Sequence, residues 1–182
     1  MIAAGQTYFA IQTRRQEIED QEAFVELNDD QKRLLLRREV AEHNKRLVDA
    51  AHDAGVIDAM DYAIFQNYGY KGLYGGLGQR EIHAKKGLKK SQKILDHMGH
   101  EELAANLFRA TQTEAKLRRE GIQGKSQANQ THFGVGREVR ETIKRLSGTM
   151  PEDLPTPEKS IKQLEREERK RLEEKDRDKE ER

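Results

Sequence analysis

Apolar residues recur at intervals of three and four along most of the chain, the spacing that places them on one face of an α-helix. A first helix is predicted over residues 3–27, and the polar run Asn28-Asp29-Asp30 supplies capping side chains for a second helix that ends near Gly55. The apolar stripe of this second helix consists of Leu36, Val40, His43, Leu47, Ala50 and Ala54. Strand-type alternation rich in Val, Ile and Thr is absent from the sequence, so the pattern predicts a mostly α-helical protein.

A third helix is predicted over residues 58–67, followed by a segment rich in tyrosine and glycine. Three of the five Tyr and five of the 14 Gly lie between Tyr68 and Gly78. We expect a compact loop whose tyrosines pack against helix ends, since glycine is typical of loops with positive φ. The alternative interpretation is a platform on which Tyr68, Tyr70 and Tyr74 stack with nucleic-acid bases.

The stretch Gly87–Thr113 is predicted to form a short helix, a turn at Gly99 and a longer helix. Apolar residues lie at helical spacing on both sides of the turn, and Gly99 suits a left-handed helix cap. This unit resembles a DNA-reading helix-turn-helix, although Leu95 stands where that motif usually has a small residue. A purely structural helical hairpin is the other interpretation.

Beyond this hairpin the pattern predicts a helix over residues 125–146, in which Gly134 and Gly136 indicate either a close helix contact or a kink. All three Pro lie between residues 151 and 157, which indicates a rigid linker. Residues 165–182 are all charged except Leu172, so this segment is expected to form a helix that projects into solvent. The predicted architecture is an irregular helical bundle over residues 1–148, a Pro-rich linker over 149–160 and a charged helical tail over 161–182.

The composition limits both the core and the compartment. With 34% hydrophobic and 37% charged residues, the chain favours a small core that a partner could complete. It has no Cys, which excludes disulfides, thiol nucleophiles and cysteine metal sites and favours the cytoplasm. The longest aliphatic run is Leu34–Leu36 and the N-terminus lacks signal-peptide features, so we expect no membrane span and no secretion.

Catalytic chemistry is weakly represented in the sequence. Two histidines, His97 and His100, lie near Asp96, Glu101 and Glu102, but Gly99 separates them, so they do not share a helical face. There is no Gly-x-Ser-x-Gly nucleophile motif. The sequence therefore predicts a protein that is not an enzyme and that needs no cofactor or metal.

The net charge of +1 hides a basic middle region. Residues 80–125 contain eleven Lys or Arg against six Asp or Glu, a balance that suits contact with a polyanion or an acidic protein surface. A solvated basic face is the alternative interpretation. The candidate contacts with nucleic acid or with a protein partner are Lys85, Lys86, Lys89, Lys90, Lys93, Arg109, Lys116, Arg118 and Arg119.

Six motifs, in this order, resemble the bacterial DNA-damage-inducible protein D family. They are QTYFAIQTRRQE at 6–17, FQNYGYKGLYGGL at 65–77, KGLKKSQKILDHMG at 86–99, ELAANLFRATQT at 102–113, THFGVGREVR at 131–140 and GTMPEDLPTP at 148–157. The resemblance extends to about residue 164.

This resemblance implies a protein induced in the SOS response that acts against RecA filaments on single-stranded DNA. It also implies that the first motif lies mid-chain, after a region similar to phage Bro-type antirepressor domains that this sequence does not include. DNA binding that depends on that region is therefore not expected here. The expected partners are the RecA filament, single- or double-stranded DNA and a second copy of the chain, with association to the nucleoid when DNA is bound. A DNA-binding regulator of the antirepressor type is the alternative function.

Overall fold

The structure, a computed structural model, describes residues 24–180, with side chains as far as Arg177. From Asn28 onward these residues form six α-helices and two short 3-10 helices, Ile94–His97 and Pro151–Asp153, and no strand lies among them. The α-helices are α1 (Asp29–Asp53), α2 (Ala59–Leu73), α3 (Gln79–Lys85), α4 (His100–Arg119), α5 (Lys125–Arg145) and α6 (Ile161–Glu180). The predicted mostly α-helical fold is confirmed. The helix predicted over residues 3–27 lies outside the described residues, apart from its last four positions.

The predicted cap and stripe of α1 are both present. Asn28 Oδ1 accepts the Gln31 backbone N–H at 2.9 Å, and Gln31 Oε1 accepts the Asn28 N–H at 3.0 Å. This reciprocal pair satisfies donors that the first helical turn otherwise leaves without partners. The buried residues of α1 include every member of the predicted stripe that lies within the helix: Leu36, Val40, His43, Leu47 and Ala50.

The contact between α2 and α5 explains why α2 is longer than predicted. The helix continues to Leu73, so the loop prediction is wrong for residues 68–73. A Cβ on Gly72 would overlap the Phe133 carbonyl oxygen, and a Cβ on Gly136 would lie 2.7 Å from the Gly69 carbonyl oxygen. Glycine is therefore used here to let two helix backbones approach each other closely, the first of the two alternatives predicted for Gly136.

At the centre of the bundle, α4 packs against α1 on one side and against α5 on the other. Its buried residues Leu103 and Leu107 belong to one apolar cluster, and Ala110 and Leu117 belong to a second. Polar residues lie between the two clusters along the helices: Asn106 and Arg109 on α4, and His132 on α5. We call these three residues the polar layer.

The segment before α4 differs from the predicted helical hairpin. Only residues Ile94–His97 are helical there, as a single 3-10 turn. Gly99 has φ −71° and ψ 172°, so it is the extended N-cap of α4 and not a left-handed cap. Two arginines of α1 hold this segment: Arg33 Nε donates to the Met98 carbonyl at 2.9 Å and Arg37 Nε donates to Asp96 Oδ1 at 2.9 Å.

The C-terminal region is attached to the bundle at the start of α6. Ile161 and Leu164 are buried with Leu34 of α1, whereas residues 165–177 are exposed apart from the half-buried Glu168. In the preceding Pro-rich segment, Glu152 forms an ion pair of 2.7 Å with Arg140. Within the described residues, no helix combines the length and the apolar character needed to cross a membrane.

Candidate nucleic-acid or filament interface

Three of the predicted contact lysines lie on an exposed loop between α3 and the first 3-10 helix. Lys89, Lys90 and Lys93 are exposed, and within the described part of the chain none of them has an ion pair. The loop is fixed from beneath, because His83 Nε2 lies 3.1 Å from the carbonyl oxygens of both Lys89 and Gln92. We call Lys89, Lys90 and Lys93 the lysine loop. Ammonium groups without acidic partners on an ordered loop are suited to phosphate contacts.

The two lysines that precede this loop have acidic partners. Lys85 is exposed and forms an ion pair of 3.2 Å with Asp153. Lys86 is different, since its side chain is only 7% exposed and its Nζ lies 2.7 Å from Glu102 Oε2, which is fully buried. The prediction that Lys86 belongs to the contact surface is therefore wrong: its charge neutralises an interior carboxylate.

A hydrogen-bonded network continues from Glu102 into the core. The Tyr74 hydroxyl donates to Glu102 Oε1 at 2.7 Å, and Asn106 Nδ2 donates to the Tyr74 hydroxyl oxygen at 2.9 Å. Arg109 then donates to Asn106 Oδ1 at 3.2 Å and also contacts His132 Nε2. Buried polar groups generally need such partners, because an unpaired group keeps its full desolvation cost.

Three residues predicted for DNA or filament contact therefore belong to the interior. Arg109 is 1% exposed, and its guanidinium lies 4.8 Å from the centre of the Tyr70 ring in a cation–π contact. Tyr70 and Tyr74 are 6% and 1% exposed, so neither ring can stack on a base. These assignments are wrong because the tyrosine-rich segment is helical and turns these two rings inward. Tyr68 alone of the three tyrosines is exposed.

Burial alters the ionisation of this network in directions that follow from its chemistry. Desolvation raises the pKa of the Glu102 carboxyl, an effect that Lys86 opposes. Burial, together with the Glu102 carboxylate, holds the pKa of Tyr74 well above its usual 10.0. Burial and the Arg109 charge hold the pKa of His132 well below its usual 6.5. The interior thus favours a neutral imidazole next to a guanidinium.

A second basic surface lies at the other end of α4. Lys116 and Arg119 line a groove of about 670 Å³ between α4 and α5, and the groove also contains Arg137, which the sequence reasoning did not select. Arg118 does not line this groove; its guanidinium lies 3.3 Å from Glu114 and 3.5 Å from Asp53. Lys116 lies 3.2 Å from Glu120, so this surface is more nearly neutralised than the lysine loop. We call Lys116, Arg119 and Arg137 the basic groove.

The structure does not bring the two basic surfaces together. Lys86 marks one end of α4 by its contact with Glu102, and Arg119 is the last residue of that helix. Seventeen residues of α-helix separate these positions, which corresponds to about 25 Å along the helix axis. The lysine loop and the basic groove therefore lie toward opposite ends of α4, an arrangement that suits an extended polymer better than a single small anion. In the described residues, no three His, Asp or Glu side chains are grouped as metal ligands would be.

Comparison with known proteins identifies the family of this chain. The chain is a member of the family of DinD C-terminal domains, which matches residues 27–164. It is 71% identical over 165 residues to DNA damage-inducible protein D of Escherichia coli (strain K12). The aligned region is 91% of this chain and 60% of that protein, so the chain spans about 60% of the length of this relative. No solved structure matches the chain. The family predicted from the six motifs is confirmed.

Proposed function

We propose that this chain acts in the DNA-damage response by binding RecA filaments on single-stranded DNA and opposing their activity without catalysis. The observation that carries the proposal is the 71% identity to a protein named DNA damage-inducible protein D. The filament as target is the expectation that the motif resemblance raises. The lysine loop supports it physically, because its ammonium groups are exposed and without ion pairs in the described chain.

The lysine loop is the proposed contact because phosphate contacts position a protein without reading sequence. A protein that acts on filaments must bind DNA of any sequence, which a flexible set of ammonium groups permits. The basic groove would add contacts further along the same filament. It lies toward the other end of α4 from the contact of Lys86 with Glu102, so a long partner suits the two surfaces better than a short one.

Replacement of Lys89, Lys90 and Lys93 by Glu tests this contact. We expect several-fold or greater loss of affinity for RecA filaments and a flatter dependence of affinity on log salt, since each lost phosphate contact lowers the slope by about one unit. Binding is measured in parallel with single-stranded DNA, duplex DNA, free RecA and assembled filaments. The three side chains are exposed and lie outside the helices, so the fold is expected to persist.

The matched control places the same charge change on the tail, with Lys162, Lys170 and Lys175 replaced by Glu. These three side chains are exposed and form no ion pair among the described residues. Equal weakening by both triple variants would mean that total charge, and not the lysine loop, governs binding. If the loop variant folds and keeps both its affinity and its salt slope, the loop is ordinary solvated surface.

The alternative function, a regulator that reads DNA with a helix-turn-helix, gains no support from α4. A recognition helix must present a continuous face to the major groove. In α4 only Glu101, Ala115, Arg118 and Arg119 are exposed, and they lie toward the two ends of the helix. The residues in the middle of α4 are buried or half-buried, and the helix packs against α1 and α5.

A further inference from the structure

The outer face of α2 carries a row of exposed apolar side chains. Ile57, Met60, Ile64 and Tyr68 are 65%, 70%, 41% and 38% exposed, respectively. Met60, Ile64 and Tyr68 are spaced by four residues and therefore lie along one face of α2, and Ile57 lies just before the N-cap residue Asp58. We call these four residues the α2 stripe. Single exposed apolar residues are common on protein surfaces, but a contiguous row indicates a surface that meets another molecule.

A groove runs beside the α2 stripe. It has a volume of about 610 Å³ and lies between α2, which contributes Ala63, Asn67 and Lys71, and α3, which contributes Gln79 and Arg80. The α2 face thus offers a row of exposed apolar side chains next to a depression whose lining is mainly polar and charged, with Ile64 at its edge. The apolar surface available to another helix is therefore the α2 stripe itself.

The charges at the two ends of the stripe are also complementary. Asp58 lies at the N-terminal end and is exposed, while Lys71 and Arg80 lie at the C-terminal end and are exposed without ion pairs within the described chain. When two copies of α2 lie antiparallel, Asp58 of each approaches Lys71 of the other. The helix dipoles then also oppose each other, which favours the antiparallel arrangement.

We propose that the α2 stripe is the interface of a homodimer in which two copies of α2 pack antiparallel about a two-fold axis. In such an isologous interface the central residue meets its own counterpart. Ile64 is central, so it faces Ile64 of the partner subunit, and Met60 of each copy lies opposite Tyr68 of the partner subunit. A second copy is the occupant because, in the antiparallel arrangement, the α2 stripe meets its own apolar counterpart and the charges at the two ends are of opposite sign.

Cysteine cross-linking tests this geometry cleanly, since the chain contains no Cys. The variant Ile64→Cys is expected to form a disulfide-linked dimer in high yield under mild oxidation at low protein concentration. The matched control is Leu35→Cys on α1, because Leu35 is 40% exposed and Ile64 is 41% exposed. Comparable yields from the two variants, or no dimer from either, would overturn the proposal.

Two further measurements separate orientation from association. Mixing the variants Met60→Cys and Tyr68→Cys is expected to give a higher yield of cross-linked dimer, as the mixed species, than oxidation of either variant alone. A preference for self-linked dimers would overturn the antiparallel arrangement.

Sedimentation equilibrium of the unmodified chain is expected to show a concentration-dependent dimer that Ile64→Glu converts to a monomer with an unchanged circular dichroism spectrum. An unmodified chain that remains monomeric throughout the series would overturn the interface.

Discussion

His132 is the residue whose chemistry is most tightly determined by its neighbours. Its Nδ1 lies 2.9 Å from the Phe65 carbonyl oxygen, which can only accept, so Nδ1 carries the proton. Its Nε2 must then accept from the Arg109 guanidinium. The ring is therefore a neutral imidazole with one defined tautomer. Protonation would place a second cation beside Arg109 in a site with no water-exposed surface.

This arrangement predicts acid sensitivity of the fold. The pKa of His132 lies well below 6.5 in the folded chain and near 6.5 in the unfolded chain, so below pH 6.5 the unfolded state binds the extra proton. The free energy of unfolding should fall as the pH falls through this window, by about 1.4 kcal/mol per pH unit for this group. His132→Gln, which keeps an acceptor for Arg109 but does not titrate, should be less stable at neutral pH and should lose this slope.

The measurement is urea unfolding of both proteins at a series of pH values below 6.5. Glu102, with its raised pKa, affects the pH dependence of stability in the direction opposite to His132, and His97, with its lowered pKa, affects it in the same direction. Both groups are present in both proteins, so the difference between the two curves isolates the contribution of His132. Parallel curves would show that His132 does not titrate as described.

The sequence could not reveal this network. A charged residue is almost never buried without a partner, so the sequence pattern alone favours a surface position for Arg109 and Lys86. Their partners, His132 and Glu102, lie 23 and 16 residues away along the chain, and no helical spacing links them. The stripe of α1 could be predicted because its members recur at helical spacing within one continuous helix.

At the level of elements, glycines determine how closely the backbones of α2 and α5 approach each other where the two helices cross. A Cβ at position 136 would lie 2.7 Å from the Gly69 carbonyl oxygen and 2.9 Å from the Leu73 backbone nitrogen, and neither backbone atom can move freely. At position 134, on the same helix, a Cβ would have nothing within 4 Å. The two glycines therefore have different roles although only one residue separates them.

Two alanine substitutions test this difference. Gly136→Ala should destabilise the fold by about 1–3 kcal/mol through overpacking. Gly134→Ala should stabilise it by up to about 1 kcal/mol, because alanine favours the helix and meets no obstacle. Thermal and urea unfolding of both variants measure these changes. Equal effects of the two substitutions would mean that the helices separate easily and that the close contact contributes little.

The same crossing explains which element boundaries the sequence predicted correctly. Both ends of α5 agree with the prediction to within a residue, because a strong apolar stripe runs through it. The sequence predicts that α2 ends at Asn67, because the residues that follow are rich in glycine and tyrosine, a composition typical of loops. Gly69 and Gly72 instead lie within the helix, where α5 compensates for their low helix propensity by packing against them. Tertiary contact thus overrode the local signal.

Over the whole molecule, the proposed dimer would increase the affinity of the proposed filament contact. A filament repeats the same surface, so a dimer can hold two repeats at once and bind with higher avidity than a monomer. The lysine loop follows α3 in the chain, whereas the α2 stripe occupies the outer face of α2. If both proposals hold, Ile64→Glu should weaken filament binding while its salt slope per monomer stays unchanged, a combination that the lysine-loop variant cannot produce.

The tail gives the last prediction at this scale, because among the described residues the buried apolar side chains of α6 all lie in its first turn. Ile161 and Leu164 are 2% and 4% exposed, and full burial of an aliphatic side chain contributes about 1.5–3 kcal/mol. Beyond them an ion pair of 3.8 Å joins the exposed Arg38 to the half-buried Glu168, and solvent screens such a contact. Deletion of residues 165–182 should therefore leave the melting temperature nearly unchanged, whereas deletion of residues 160–182 should lower it by several degrees. Scanning calorimetry of the two truncated chains measures both changes. A large drop from the shorter deletion would show that the charged part of α6 packs on the body or on another copy.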